Sequence, residues 1–322
     1  MKVIYLLAAS HSGSTLTAML LGAHPDISTV GELKLNTFGE IDKYLCSCKE
    51  KILACEFWGE IERRMKAKAL DFTLRDPGTH YGLNQAGWVE RFERPLYRGG
   101  AIEVIRDIAL SFSPSRQKQL SRAHLNNPAL ISEILDVTNT KCIVDSSKIG
   151  SRLKYLLRSP KLDVYVVRIV RNGRAVAQTY MDPEKFADSS DAELRGGGAG
   201  LSRENERLTM EEAAYEWKRS NEEADAILKT VDSNHKIQIR YEELCTNTVD
   251  CLANVYTMLG LSPFDQARSF RRNASHVIGN GMRLDSTDEV ILDERWRDSL
   301  SKDDMRAFDE VAGRLNRSLG YD

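Results

Sequence analysis

Residues 4 to 16 read Ile4-Tyr5-Leu6-Leu7-Ala8-Ala9-Ser10-His11-Ser12-Gly13-Ser14-Thr15-Leu16, and no other stretch constrains the fold so tightly. An apolar run ends in a small, polar, glycine-containing turn. The turn opens directly into a helical pattern, Leu16-Thr17-Ala18-Met19-Leu20-Leu21-Gly22. A buried strand, a tight loop and a helix N-terminus in that order make an anion cradle. The N–H groups of the first helical turn have no partner within the helix, and the helix dipole favours negative charge there. Ser12, Gly13, Ser14, Thr15 and Leu16 are the residues expected to line it. A nucleoside triphosphatase loop would read G-x-x-x-x-G-K-[ST], with its Lys on the terminal phosphates. That Lys and a second Gly at that spacing are missing, so the loop suits a phosphate and is poorly equipped for a triphosphate with Mg²⁺.

Three more short runs rich in Val and Ile follow, at Lys141–Asp145, Val164–Val170 and His235–Arg240, beside the first at Val3–Ala9. Each run precedes polar residues and then a helical pattern. That alternation predicts an α/β fold, a parallel sheet flanked by helices. A long helix is expected over Met210–Val231, with Trp217 on its apolar stripe. Residues from about 46 to 135 carry no strand signal and read as a helical cap inserted between the first two of these strands. The Gly-rich segment from about 188 to 208 reads as a flexible lid. The whole chain, residues 1–322, is expected to form one domain.

Ligands of an open parallel sheet collect at the carboxyl ends of its strands. After the first strand comes the cradle, after the second Asp145-Ser146-Ser147-Lys148, after the third Arg171-Asn172-Gly173-Arg174, and the fourth ends in Arg240-Tyr241-Glu242. Hydroxyls, cations and a helix N-terminus therefore converge on one rim, which fits a ligand with several separated anionic groups. Arg171 is suited to clamping a phosphate through two parallel hydrogen bonds, whereas Arg174 reads as a solvated helix residue. Ser147 reads as a cap for the helix that follows it.

With 45 basic and 47 acidic residues the net charge is −2, which argues against a general nucleic-acid binder. No apolar run is long enough to span a membrane and no leader pattern opens the chain, so a cytoplasmic location is the default expectation. Of the six cysteines, Cys46, Cys48 and Cys55 cluster as C-x-C-x₆-C. They could hold zinc with a fourth ligand such as His80, form a disulfide, or pack as reduced thiols.

These blocks, in this order, resemble the sulfotransferases that use 3′-phosphoadenosine 5′-phosphosulfate (PAPS). Ser12-Gly13-Ser14-Thr15-Leu16 looks like their 5′-phosphosulfate loop. Arg171 with Thr179 eight residues later resembles their 3′-phosphate clamp. Asp145-Ser146-Ser147-Lys148, Arg240-Tyr241-Glu242-Glu243-Leu244, Gly279-Asn280-Gly281-Met282-Arg283 and the tail from Trp296 to Tyr321 are similar to further blocks of bacterial members. Ala23-His24-Pro25-Asp26-Ile27-Ser28-Thr29-Val30-Gly31-Glu32 is similar to a segment of the tyrosylprotein and bacterial enzymes, after which a Glu acts as base.

The resemblance implies a P-loop kinase-like sheet and PAPS as co-substrate, with no metal required. Ser12–Leu16, Arg171, Thr179, Arg240 and Arg283 would bind the nucleotide. Glu32 would take the acceptor proton. His11 stands where the family places Lys or Arg, so the leaving oxygen would be steadied by His11 or by Lys148. The acceptor, whether small molecule, carbohydrate, lipid or peptide, and the oligomeric state are left open. Two rival readings stand beside this one: a non-catalytic module that binds PAPS or its bisphosphate product, and a metal-dependent nucleotide kinase.

Overall fold

The computed structural model describes residues 1–35, 40–81, 105, 108, 112–186, 207–265, 270, 276–285 and 289–322. Five strands form one parallel sheet: β1 (Lys2–Ala8), β2 (Ile27–Thr29), β3 (Cys142–Lys148), β4 (Asp163–Val170) and β5 (Lys236–Arg240), in spatial order β2-β3-β1-β4-β5. All four runs expected from the sequence are strands. The fifth, β2, is an addition, and it places the long insertion between β2 and β3. The three residues Ile27-Ser28-Thr29 are too short to show a period, and they become a strand by pairing with Cys142, Ile143 and Val144.

Because β1 is central, its side chains are buried on both sides, which is why it reads as a continuous apolar run. Val3, Tyr5 and Leu7 enter one cluster, while Ile4, Leu6 and Ala8 enter the other. The second face is covered by α1 (Ser14–Leu21) and by a helix over Thr248–Leu259. The first is covered by α2 (Glu56–Ala67), α3 (Pro114–Thr138) and α4 (Gly150–Leu157). Trp58, Ile61 and Met65 of α2 and Leu130, Ile131 and Ile134 of α3 share that cluster with Val3, Tyr5 and Ile143. The described helices of the expected cap therefore pack directly onto a sheet face. Ser113 and Pro114 open α3, the serine accepting from the Arg116 N–H at 3.4 Å, and Asn139 closes it in the left-handed conformation.

A third cluster joins α5 (Gly173–Met181), α6 (Met210–Leu228) and α7 (Lys302–Ser318), with Trp217 and Phe308 at its centre. Thr209 and Glu212 form a capping box at the start of α6, as Ser301 and Asp304 do for α7. Most of the segment expected to be a lid, 187–206, lies outside the described residues. Among the described residues no helix is long and apolar enough to cross a membrane.

The first turn of α5 is pressed against this third cluster. A Cβ added to Gly173 would stand 2.4 Å from Phe308 Cζ and 2.9 Å from the Trp217 ring. Gly173→Ala should therefore cost about 1–3 kcal/mol by overpacking, read as a lowered Tm or denaturation midpoint. An unchanged midpoint would show that the helices separate freely there.

Candidate functional site

The loop after β1 is built to leave donors unsatisfied. Gly13 caps α1 in the left-handed conformation (φ 87°), and no side chain caps the helix. The Thr17 N–H is the one that closes on the Gly13 carbonyl, at 2.9 Å, so the N–H groups of Ser14, Thr15 and Leu16 have no intrahelical acceptor. Ser12, Ser14 and Thr15 are buried, and among the described residues Ser12 Oγ has no hydrogen-bond partner. An orphaned hydroxyl beside uncapped amides is chemically complementary to an oxyanion. Glycine is required at position 13 twice over, because a Cβ would also stand 2.5 Å from Tyr241 Cδ2.

Arg171, one residue beyond β4, turns toward this loop. Its guanidinium donates to the His11 carbonyl at 2.9 Å and lies 4.4 Å from the Tyr241 ring centre. It also donates to the carbonyl and Oδ2 of Asp293, each at 3.1 Å. Burial raises the Asp293 carboxyl, but hydrogen bonds and charge from Arg295 and Arg171 outweigh it and hold the group at about 2. The two corners expected from the sequence to hold anions are thus in direct contact. His11 itself adopts φ 62°, and its ring packs edge-on against Tyr180 at 5.1 Å.

Glu32 and Lys148 meet at the end of β3. Glu32 is 5% exposed, with Lys148 Nζ 2.5 Å from Oε1 and Lys34 Nζ 3.2 Å from Oε2. Burial pushes this carboxyl up, but the two ammonium groups outweigh it and hold Glu32 at about 2, from an ordinary 4.5. Lys148 takes φ 68°, a left-handed backbone where the β1–β3 register shifts to pair it with Leu7. Lys34 was not legible in the sequence as part of this group. Burial lowers its own pKa.

A buried carboxylate, Asp145, organises the segment. Its Oδ1 accepts from the Leu33 N–H at 3.3 Å and from the Ser147 N–H at 3.0 Å, and Oδ2 accepts from Arg152 Nε at 2.9 Å. Ser147 Oγ, in turn, accepts from the Lys34 N–H at 3.1 Å. Ser147 therefore positions the Glu32 loop, while Ile149 caps α4, which corrects the expectation of a helix cap.

The other expected residues have these surroundings. Thr179 is buried on α5 and its hydroxyl donates back to the Ala175 carbonyl at 3.2 Å. Arg240 donates to the Gly320 carbonyl at 3.0 Å and stacks on Tyr321, so it holds the C-terminal tail. Arg283 is buried over Tyr44 and donates to the carbonyls of Gly279 and Leu45, at 2.6 and 2.5 Å. Its loop is stitched to the N-terminal half of the chain. Arg174 is not solvated: it is buried and paired with Asp309 at 2.7 Å. Cys46, Cys48 and Cys55 do converge, but the fourth side chain is His276 and not His80.

Sheet order, the loop after the central strand and helices on both faces define an α/β protein of the P-loop kinase-like class. No family model matches the chain. Over 172 residues it is 24% identical to mouse carbohydrate sulfotransferase 5, a stretch taking in 52% of this chain and 44% of the mouse protein. The chain thus spans less than half the length of that curated relative. Among solved structures it is similar to the sulfotransferase domain from the Synechococcus PCC 7002 olefin synthase, with TM-score 0.50 and 18% identity over 100% of this chain and 95% of that one. It is similar too to the sulfotransferase domain from the curacin biosynthetic pathway, with TM-score 0.50 and 17% identity over 100% and 98% of the two chains. Over about half its length the chain is thus similar in sequence to a carbohydrate sulfotransferase, and its fold is similar to that of sulfotransferase domains.

The Glu32 shift has a pH signature. A carboxyl held below its ordinary value adds stability above about pH 4.5, and that contribution disappears as pH falls toward about 2. Denaturation of wild type and Glu32→Gln across this range should show the variant less stable near pH 5 and the gap closing in acid. A gap independent of pH would show that Glu32 does not carry this charge.

Proposed function

We propose that the protein transfers a sulfuryl group from PAPS to an acceptor hydroxyl or amine and releases adenosine 3′,5′-bisphosphate. The observation that carries this reading is the contact of Arg171 with the His11 carbonyl, beside the unsatisfied donors of Ser12–Leu16. The residues fit the nucleotide: a loop with open amides and an orphaned hydroxyl for the 5′-phosphosulfate, and a guanidinium across it for the 3′-phosphate. The donor supplies an activated sulfuryl group. The sulfur–oxygen bond to the phosphate breaks as the acceptor oxygen bonds to sulfur, and the acceptor proton passes to Glu32.

In the resting pair Lys148 keeps Glu32 ionised but makes it a weak base. Drawing Lys148 toward the leaving oxygen would raise the basicity of Glu32 at the moment a proton must be taken. His11 offers a second donor to that oxygen. Thr179 contributes to the 3′-phosphate corner only if its hydroxyl leaves Ala175. Arg240 and Arg283 act at one remove, by fixing the tail and the 279–283 loop. No step of this transfer is assigned to a metal. The likeness to a carbohydrate sulfotransferase favours a small molecule or carbohydrate as acceptor.

Thermal-shift and calorimetric titrations distinguish this reading from its rivals. Adenosine 3′,5′-bisphosphate should stabilise the protein, and ADP and ATP should do so far less. A preference for ATP with Mg²⁺ would overturn the proposal. Arg171→Ala should weaken bisphosphate binding by roughly ten- to a hundredfold, the worth of a charged hydrogen-bonded pair. Asp293→Asn, which removes the competing carboxylate, should tighten it.

Turnover separates an enzyme from a binding module. Glu32→Gln should lower kcat by about 10²–10⁴-fold with bisphosphate affinity nearly unchanged. His11→Ala should likewise reduce turnover more than affinity. Tight bisphosphate binding without sulfuryl transfer to any hydroxyl or amine acceptor would favour the module.

A further inference from the structure

We propose that Cys46, Cys48, Cys55 and His276 bind one structural zinc ion that ties the 46–55 segment to the loop walling Glu32. One ligand atom from each residue lies within 4.8 Å of all the others. The separations are 3.7 Å between the sulfurs of Cys48 and Cys55, 3.8 Å from Cys46 Sγ to His276 Nδ1, and 3.2 Å from Cys55 Sγ to the same nitrogen. Zinc bonds of about 2.3 Å to sulfur and about 2.0 Å to nitrogen, arranged tetrahedrally, place sulfurs ~3.8 Å apart and sulfur ~3.5 Å from nitrogen. A disulfide would need its sulfurs at about 2.05 Å, and all of these cysteines are free thiols.

The local chain is shaped to present these atoms. Cys46 and Cys48 lie in a tight turn closed by an antiparallel bridge between Leu45 and Lys51. Within it the Cys46 N–H donates to the Glu50 carbonyl at 2.8 Å, and Lys49 takes φ 71°. Cys55 is the N-cap residue of α2. His276 is held in the left-handed region (φ 79°), a strained choice for a residue other than glycine. The imidazole is fixed by Phe57, stacked at 4.6 Å and 4° from parallel, while Trp58 Nε1 donates to the His276 carbonyl at 3.2 Å. Strain, stacking and hydrogen bonding together aim Nδ1 at the sulfurs.

The ligand chemistry favours a soft divalent cation here. Cys46 and Cys55 are both buried. On binding the ion, the three free thiols release their protons to solvent, and three thiolates with a neutral imidazole leave a net charge of −1. Soft sulfur ligands in a tetrahedral set select zinc over Mg²⁺ or Ca²⁺, and four protein ligands leave no open position for catalysis.

The consequence reaches the site. Val277 donates to Ser47 Oγ at 2.8 Å, Ile278 donates to the Val30 carbonyl at 2.9 Å and forms a bridge with Gly31, and a Cβ on Gly279 would lie 3.6 Å from Glu32 Cγ. The ion would clamp this wall of the Glu32 pocket from outside.

The test is elemental analysis of the reduced, tag-free full chain after incubation with zinc and desalting. About one zinc per chain is expected, falling at least fivefold in Cys55→Ser and in His276→Ala. Cobalt(II) in place of zinc should give the visible bands of a tetrahedral thiolate site. Four results would each overturn the proposal: wild-type zinc well below one per chain, zinc retained in both variants, iron as the bound metal, or a Cys48–Cys55 disulfide in freshly purified protein. Metal content does not depend on which nucleotide binds, so this outcome is independent of the sulfuryl-transfer reading.

Discussion

The rim of the sheet is organised by one fully buried ion pair, Asp145 with Arg152. A carboxylate without solvent is tolerable only when each lone pair is occupied, and here the occupants are the N–H of Leu33, the N–H and hydroxyl of Ser147, and the guanidinium. Arg152 is itself shared with the Thr79 carbonyl and Asn127 of α3. One charge pair therefore binds the β3 end, the Glu32 loop and the helical layer of the insertion. Glu32 and Lys148 stand on this foundation. Removing either partner of the pair would leave an uncompensated charge under the site, a far larger disturbance than losing an exposed ion pair.

The parts legible in the sequence follow from local rules. Four strands announce themselves as Val- and Ile-rich runs with polar ends, because a central parallel strand is apolar on both faces. The loop at Ser12–Leu16 is legible because an apolar run, a small polar turn with Gly13 and a helical pattern follow one another directly, and because its position after the first strand fixes where it must sit. Arg171 is legible for the same reason: it is the residue that leaves β4.

The parts not legible depend on distant partners. Arg171, Arg240 and Arg283 each lie over a tyrosine, at 4.4, 4.3 and 4.7 Å, and each donates to backbone carbonyls. Residue type and local context do not separate them; what differs is which segment brings the carbonyl. Asp293 reaches Arg171 from 122 positions away, and His276 reaches Cys46 from 230. Neither pairing has a sequence period to betray it. Arg174 follows Asn172-Gly173 as a helix residue would, and only the packing of α7 against α5 shows that its helix face is interior.

Tyr241 lies against both Gly13 and Arg171. Its ring fills the space that a side chain at position 13 would occupy, and the opposite demand on the ring is the Arg171 guanidinium 4.4 Å from its centre. One aromatic ring thus packs against the turn and the guanidinium together, and restrains both. A smaller side chain at position 241 would therefore loosen the turn and the guanidinium in one step, although the two belong to segments far apart in the chain.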